Sequence, residues 1–231
     1  MADAVKLICL PGLDGTAKLF APLRSHLSDI DMMEVSYPVT GKQDYRSLAN
    51  HVERQLPDEP ATLLAESFSG PIGMELLLAP RANIKAVIFV ASFLSPPNFP
   101  LLLLAPLLPL KLMLKLPFSA QFQRMLLLGT QADDQLVQMF ESAVSGLPSA
   151  TIRARLKAIR SLSPPSAKVD VPALYIQAKD DFLVPKKKIS DFKNSLPDLE
   201  TAVVDGPHFI LQANPKRCAK LISAFIDKND W

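Results

Sequence analysis

Ser67 lies in Ala65-Glu66-Ser67-Phe68-Ser69-Gly70, with small residues two before, two after and three after its hydroxyl. That spacing suits a sharp strand-to-helix turn, because larger side chains would collide where the backbone folds back on itself. A hydroxyl held on such a turn attacks a carbonyl carbon when a base takes its proton. The Phe68 N–H would open the following helix, where the dipole favours an oxyanion. Histidine, the usual base, is scarce: the chain has 3, at positions 26, 51 and 208. His26 and His51 fall in helical patterns ahead of Ser67 and read as surface or packing residues. His208 stands in Asp205-Gly206-Pro207-His208-Phe209, a loop after an apolar run. Carboxylates able to orient a base occur at Asp180 and Asp181, just before Phe182-Leu183-Val184-Pro185. Glu66 has no second carboxylate placed near it and reads as a filler of the turn. Taken alone, the hexapeptide also describes an ordinary strand–turn–helix junction.

These residues need elements to position them, and short apolar runs alternate with helical patterns along the chain. Strands are expected at Val5–Leu10, Met33–Val35, Thr62–Ala65 and Ile84–Ala91, with helices at Leu19–Leu27, Tyr45–Leu56 and Pro71–Leu78. Ile84–Ala91, apolar but for Lys85, reads as a strand buried on both faces. After Phe93 the pattern changes. Residues 94–167 are rich in Leu and Pro, then give helices near Phe118–Leu128, Asp134–Val144 and Ala150–Leu162, the last with Ser149 as N-cap. Alternation resumes with strand Ala173–Ala178, helix Lys186–Ser195, strand Thr201–Val204 and helix Pro215–Ile226. Strand–helix alternation of this kind argues an α/β fold: a mostly parallel sheet of about six strands with helices on both faces. The helical block is an insertion after the fourth strand.

In the order of its parts the chain resembles the α/β-hydrolase fold superfamily, as a small carboxylesterase- or lipase-like serine hydrolase, over nearly its whole length. That family runs oxyanion loop, nucleophile elbow, acid loop and histidine loop, each at the C-terminal end of a strand, where such sheets form their ligand crevice. The resemblance implies Ser67 as nucleophile, Asp181 as acid and His208 as base. Asp181 is selected over Asp180 because the family's acid stands four residues before a proline, here Pro185; Asp180 is then a turn residue. The elbow departs from the family pattern, which has Gly where this chain has Ala65 and Ser69. The first strand ends in Leu10-Pro11-Gly12-Leu13-Asp14-Gly15-Thr16, with Pro-Gly where the family has His-Gly. By position the oxyanion donors are the N–H groups of Leu13 and Phe68. A glycine loop between strand and helix also suits phosphate, but GxGxxG and GxxxxGK[ST] are both absent, and Gly41-Lys42 is followed by Gln43. No cofactor or metal is implied.

The bulk properties bound this reading. The chain has 231 residues, enough for one sizeable core, and a net charge of +2. Its longest basic run, Lys186-Lys187-Lys188, is a solvated helix face rather than a nucleic-acid site. Cys9 and Cys218 read as buried small hydrophobes, with no zinc spacing. The N-terminus shows no basic leader, so a cytoplasmic location is expected. Residues 86–110 carry no charge, but Pro96, Pro97, Pro100, Pro106 and Pro109 break any membrane span.

The expected organisation is a hydrolase core over 1–93 and 168–231 with a helical lid over 94–167. The leucines of residues 99–118 either bury the lid on the sheet or line an apolar pocket. Phe99, Leu102 and Leu107 are the substrate-binding candidates, and transient lipid contact through the lid is a further option. The substrate expected is a small-molecule ester with a lipophilic acyl group. Acyl thioesters are the alternative, and a non-catalytic protein binding a lipophilic ligand is the rival of another class.

Overall fold

The computed structural model describes residues 6–79, 83–97 and 119–229. Six strands, β1 (Lys6–Leu10), β2 (Asp31–Glu34), β3 (Ala61–Glu66), β4 (Ile84–Val90), β5 (Ala173–Ala178) and β6 (Leu199–Val204), form one sheet in the order β2-β1-β3-β4-β5-β6. Every adjacent pair is parallel. The helices are α1 (Ala21–Arg24), α2 (Tyr45–Glu53), α3 (Gly70–Leu77), α4 (Ser119–Gln123), α5 (Asp134–Ser145), α6 (Ser149–Arg160), α7 (Ile189–Ser195), α8 (Ile210–Ala213) and α9 (Pro215–Lys228).

Side-chain alternation along the strands explains the two-sided core. Ile8, Leu63, Val87, Phe89 and Tyr175 join one buried cluster with Leu48 and Val52 of α2, Ile72 of α3 and Phe192 of α7. Their neighbours Leu7, Cys9, Leu64, Ile88 and Ile176 join the other, with Leu23 of α1 and Cys218, Ile222 and Phe225 of α9. A strand covered on both faces is apolar at most positions, which is why the central runs show no regular polar alternation, although β3 buries Thr62 and Glu66 and β5 buries Gln177. Both cysteines are fully buried, as their apolar settings suggested.

Three helices of the stretch between β4 and β5 are described. Ile152, Leu156 and Ile159 of α6 belong to the same cluster as the sheet, so this helix is packed into the main core. Leu136, Val137 and Phe140 of α5 form a smaller cluster with Leu19 and Leu128. Helix α4 passes into a π-helical turn, Arg124–Leu128.

Some helix ends differ from the sequence expectation. Ser149 is not a cap: it is the first residue of α6, Pro148 precedes it, and no side chain caps that end. Proline's fixed φ already delivers the chain to the helix there. The expected single helices over Leu19–Leu27 and Lys186–Ser195 each begin as a 3-10 turn, Ala17–Phe20 and Lys186–Lys188. Among the described residues no helix is long and apolar enough to cross a membrane.

Candidate active site

The loops after β1, β3, β5 and β6 all leave the same, C-terminal edge of the sheet, which is where parallel α/β sheets bind ligands. Strand β3 stays extended through Glu66, and the backbone then turns abruptly. Ser67 has φ +48°, and residues Ser67–Ser69 form a 3-10 turn leading into α3. A non-glycine residue in this region costs about 1–3 kcal/mol and persists where its surroundings impose it. Here the Ser67 carbonyl accepts from Ser92 Oγ at 2.6 Å and from the Gly70 N–H.

The small residues around Ser67 have separate reasons. A Cβ on Gly70 would run into Ser92 Oγ and stand 2.9 Å from the Phe93 carbonyl oxygen. Ser69, where the resembling family has glycine, is fully buried and uses its hydroxyl. It donates to the Pro11 carbonyl, and with its proton so engaged it accepts from the Tyr37 phenol. Burial raises the Tyr37 pKa well above the ordinary tyrosine value, so the phenol stays a donor. The elbow is thereby tied to the loop after β1.

The structure brings Ser67, His208 and Asp181 together. Ser67 Oγ lies 2.8 Å from His208 Nε2, and His208 Nδ1 lies 2.8 Å from Asp181 Oδ2. A carboxylate at Nδ1 demands a proton there, so in the neutral ring Nε2 is left to accept from the serine hydroxyl. Asp181 is itself fixed: its Oδ1 accepts from the N–H groups of Leu183 at 2.9 Å and Val184 at 2.8 Å. Asp180 is exposed and donates its backbone N–H to Gly206, away from His208. The side chains of His208 and Asp181 are 5% and 1% exposed. Burial alone would disfavour the imidazolium, but the charge and hydrogen bond of Asp181, helped by Glu66, outweigh it and raise the His208 pKa above 6.5.

The loop after β1 turns tightly beside the elbow. The Gly15 N–H donates to the Gly12 carbonyl at 3.0 Å, and a Cβ on Gly12 would lie 4.0 Å from Ser67 Cβ. Leu13 follows Gly12, and Phe68 follows Ser67. Neither N–H is engaged with another described residue, so both keep a free donor.

Sequence reasoning missed two buried polar groups here. Glu66 is 3% exposed and accepts from Gln212 Nε2 at 3.0 Å. Burial pushes its carboxyl up to about 7 against the pull of that hydrogen bond. Gln212 Oε1 is buried with no hydrogen-bond partner among the described residues. Arg155 of α6 is fully buried and donates to the Leu13 carbonyl at 2.7 Å. Its signal was its place on the apolar stripe of Ile152, Leu156 and Ile159, where a charge is out of character.

The other candidates lie elsewhere. His26 is exposed, and His51 of α2 reaches the Ser36 carbonyl at 3.3 Å. Phe99, Leu102 and Leu107 fall outside the described residues. A cavity of about 740 Å³ runs between Met125, Leu128, Met139 and Phe182 on its apolar walls and Pro207 and Gln212; Ser67 does not line it.

The sequence matches the family described as serine aminopeptidase, S33, over residues 38–210, which take in Ser67, Asp181 and His208 but not Leu13. Among curated proteins none matches significantly. Solved structures share the fold. A hydrolase from Pseudomonas aeruginosa is 13% identical with a TM-score of 0.82, covering 98% of this chain and 91% of that one. An esterase from Exiguobacterium antarcticum is 18% identical with a TM-score of 0.77, covering 98% and 93%. The type II thioesterase BorB of the borrelidin biosynthetic cluster is 19% identical with a TM-score of 0.69, again covering 98% and 93%.

Proposed function

The chain belongs to the serine aminopeptidase S33 family of α/β hydrolases, and from that premise we propose that it cleaves carboxylic esters through Ser67, His208 and Asp181. The observation that carries this reading is the relay itself, with Ser67 Oγ and His208 Nε2 2.8 Å apart and His208 Nδ1 and Asp181 Oδ2 also 2.8 Å apart.

In the proposed reaction His208 Nε2 takes the hydroxyl proton as Ser67 Oγ attacks the ester carbonyl. Asp181 holds the Nδ1–H tautomer and stabilises the imidazolium. The N–H groups of Leu13 and Phe68 receive the charge that develops on the carbonyl oxygen; one such donor is worth about 100- to 1000-fold in rate. The imidazolium then gives its proton to the leaving alcohol as the tetrahedral intermediate collapses to an acyl-enzyme. Water, deprotonated by His208, attacks that acyl-enzyme and releases the acid and free Ser67. The acyl group is lipophilic in this proposal, on the strength of the leucine-rich run over residues 99–118.

The test is a fluorophosphonate probe applied to the wild-type protein and to Ser67→Ala. Labelling of the wild type alone supports an activated serine, and Ser67→Ala should then lower kcat by roughly a million-fold. Labelling of neither protein would point to a ligand-binding protein on a hydrolase fold. A chain-length series of p-nitrophenyl esters beside acyl-CoA substrates separates ester from thioester hydrolysis.

A further inference from the structure

Arg155 is a buried cation whose hydrogen-bond partners are all neutral, with the buried Asp14 carboxyl acting on it only at longer range. Its side chain is fully inaccessible, and among the described residues no carboxylate lies within ion-pairing distance. It donates instead to three oxygens: Leu13 carbonyl through Nη1 at 2.7 Å, Pro38 carbonyl through Nη2 at 3.2 Å and Gln43 Oε1 through Nε at 2.9 Å. Gln43 is itself buried and donates to the Pro38 and Thr40 carbonyls, so the acceptor is fixed. The guanidinium carbon also lies 5.6 Å from the Tyr37 ring centre and 5.9 Å from that of Phe68. Gly15, at φ +68°, leaves the space the guanidinium fills; a Cβ there would overlap it.

Desolvating a guanidinium against uncharged acceptors is expensive, and an apolar residue would pack α6 more cheaply. What an apolar residue could not do is grip the Leu13 backbone. Only φ and ψ of Leu13 separate its carbonyl from its N–H, so anchoring the carbonyl narrows the directions in which the N–H can point. The same guanidinium rests on the ring of Phe68, whose N–H is the second donor. We propose that Arg155 is a positioning residue for the oxyanion hole, holding the Leu13 loop and the Phe68 elbow in register from a helix that lies far away in sequence. The proposal rests on the ester-hydrolase reading above. It places α6 in the function as well as in the core.

The test compares wild type with Arg155→Met and Arg155→Lys on p-nitrophenyl butyrate, with near-ultraviolet circular dichroism to verify folding. A trifluoromethyl ketone, whose serine adduct carries an oxyanion, supplies a readout that a structural role would not move. The expected result for Arg155→Met is a fall in kcat of about 30- to 100-fold with KM within about threefold, the size of penalty that goes with misplaced groups. Ketone affinity should drop in proportion to kcat/KM, and Arg155→Lys should recover part of both. A folded Arg155→Met with wild-type kcat, or one that loses rate without losing relative ketone affinity, overturns the proposal. Where Arg155→Met does not fold, Gln43→Met removes one anchor and should lower kcat by about three- to tenfold at constant KM; an unchanged kcat there overturns it too. Failure of the underlying reading looks different, since the wild type itself would then be neither labelled by fluorophosphonate nor active on the ester.

Discussion

Ser92 Oγ donates a 2.6 Å hydrogen bond to the carbonyl oxygen of Ser67, tying the end of β4 to the strained residue at the end of β3. Ser92 reaches it because Ala91 before it also has a positive φ, +46°, and because Tyr175 from β5 donates to the Ser92 carbonyl at 2.6 Å. The strain at Ser67 is therefore held from β4 and β5 as well as by Gly70 of its own hexapeptide.

Ser92→Ala should accordingly loosen the nucleophile without unfolding the protein. The Ser67 carbonyl keeps the Gly70 N–H as a partner, so the stability loss should be about 1 kcal/mol, the net worth of one hydrogen bond. We expect kcat to fall by about tenfold, since modest misplacement of a reacting group is costly. Urea denaturation alongside ester kinetics reads both numbers, and full activity in Ser92→Ala would show that the elbow holds itself.

Gly70→Ala tests the same junction from the other side. The added methyl meets Ser92 Oγ and the Phe93 carbonyl, and the backbone oxygen has no rotamer with which to escape. Overpacking of this kind costs about 1–3 kcal/mol, so thermal unfolding of the variant should begin several degrees below wild type. A variant as stable as the parent would mean that β4 yields more readily than its burial suggests.

Asp181→Asn separates orientation from charge. An asparagine in place of the carboxylate no longer selects the Nδ1–H tautomer, and kcat should fall by about 10,000-fold. The pH profile should move as well. The proposed mechanism needs neutral His208, so on that reading kcat/KM rises with pH through the imidazole pKa. In the wild type that pKa is raised, with Asp181 supplying most of the lift against burial, so the rise should centre above 6.5 and shift downward in Asp181→Asn. Asp180→Asn, at an exposed position outside the relay, should leave both kcat and the profile close to wild type. The reverse pattern would reassign the acid.

What was legible in the sequence was local or ordinal. The stretch 86–90 is apolar because both faces are covered, so the run announces a central strand without help from elsewhere, and Lys85 before it is exposed. His208 stood out because no other histidine follows Ser67, and Asp181 only through the resemblance, whose acid stands four residues before a proline such as Pro185. What was illegible depends on partners far along the chain. Glu66 read as a turn filler because Gln212, which bonds it, comes 146 residues later. Arg155 meets Leu13 across 142 residues. Ala91 adopts its positive φ under packing, and no residue type in its neighbourhood advertises that. Ser149 has the chemistry of a cap, but the turn before it is set by Pro148.

Glu66 supplies the last prediction, one of stability against pH. Its carboxyl titrates at about 7 in the folded protein, raised by burial, and at about 4.3 in the unfolded chain. The folded state therefore holds the proton more tightly, and raising the pH from about 4 to beyond 7 costs folding free energy. The loss is complete above the folded pKa and absent below the unfolded one; for a shift of this size it is on the order of 4 kcal/mol. Glu66→Gln removes the titration and keeps the shape. Its carbonyl can still accept from Gln212 Nε2. The variant should thus be more stable than wild type at pH 8.5, with the difference shrinking steadily toward pH 4.5. Urea melts at four or five pH values measure it directly. A difference that did not vary with pH would mean that Glu66 stays ionised in the folded core, balanced by His208 beside it.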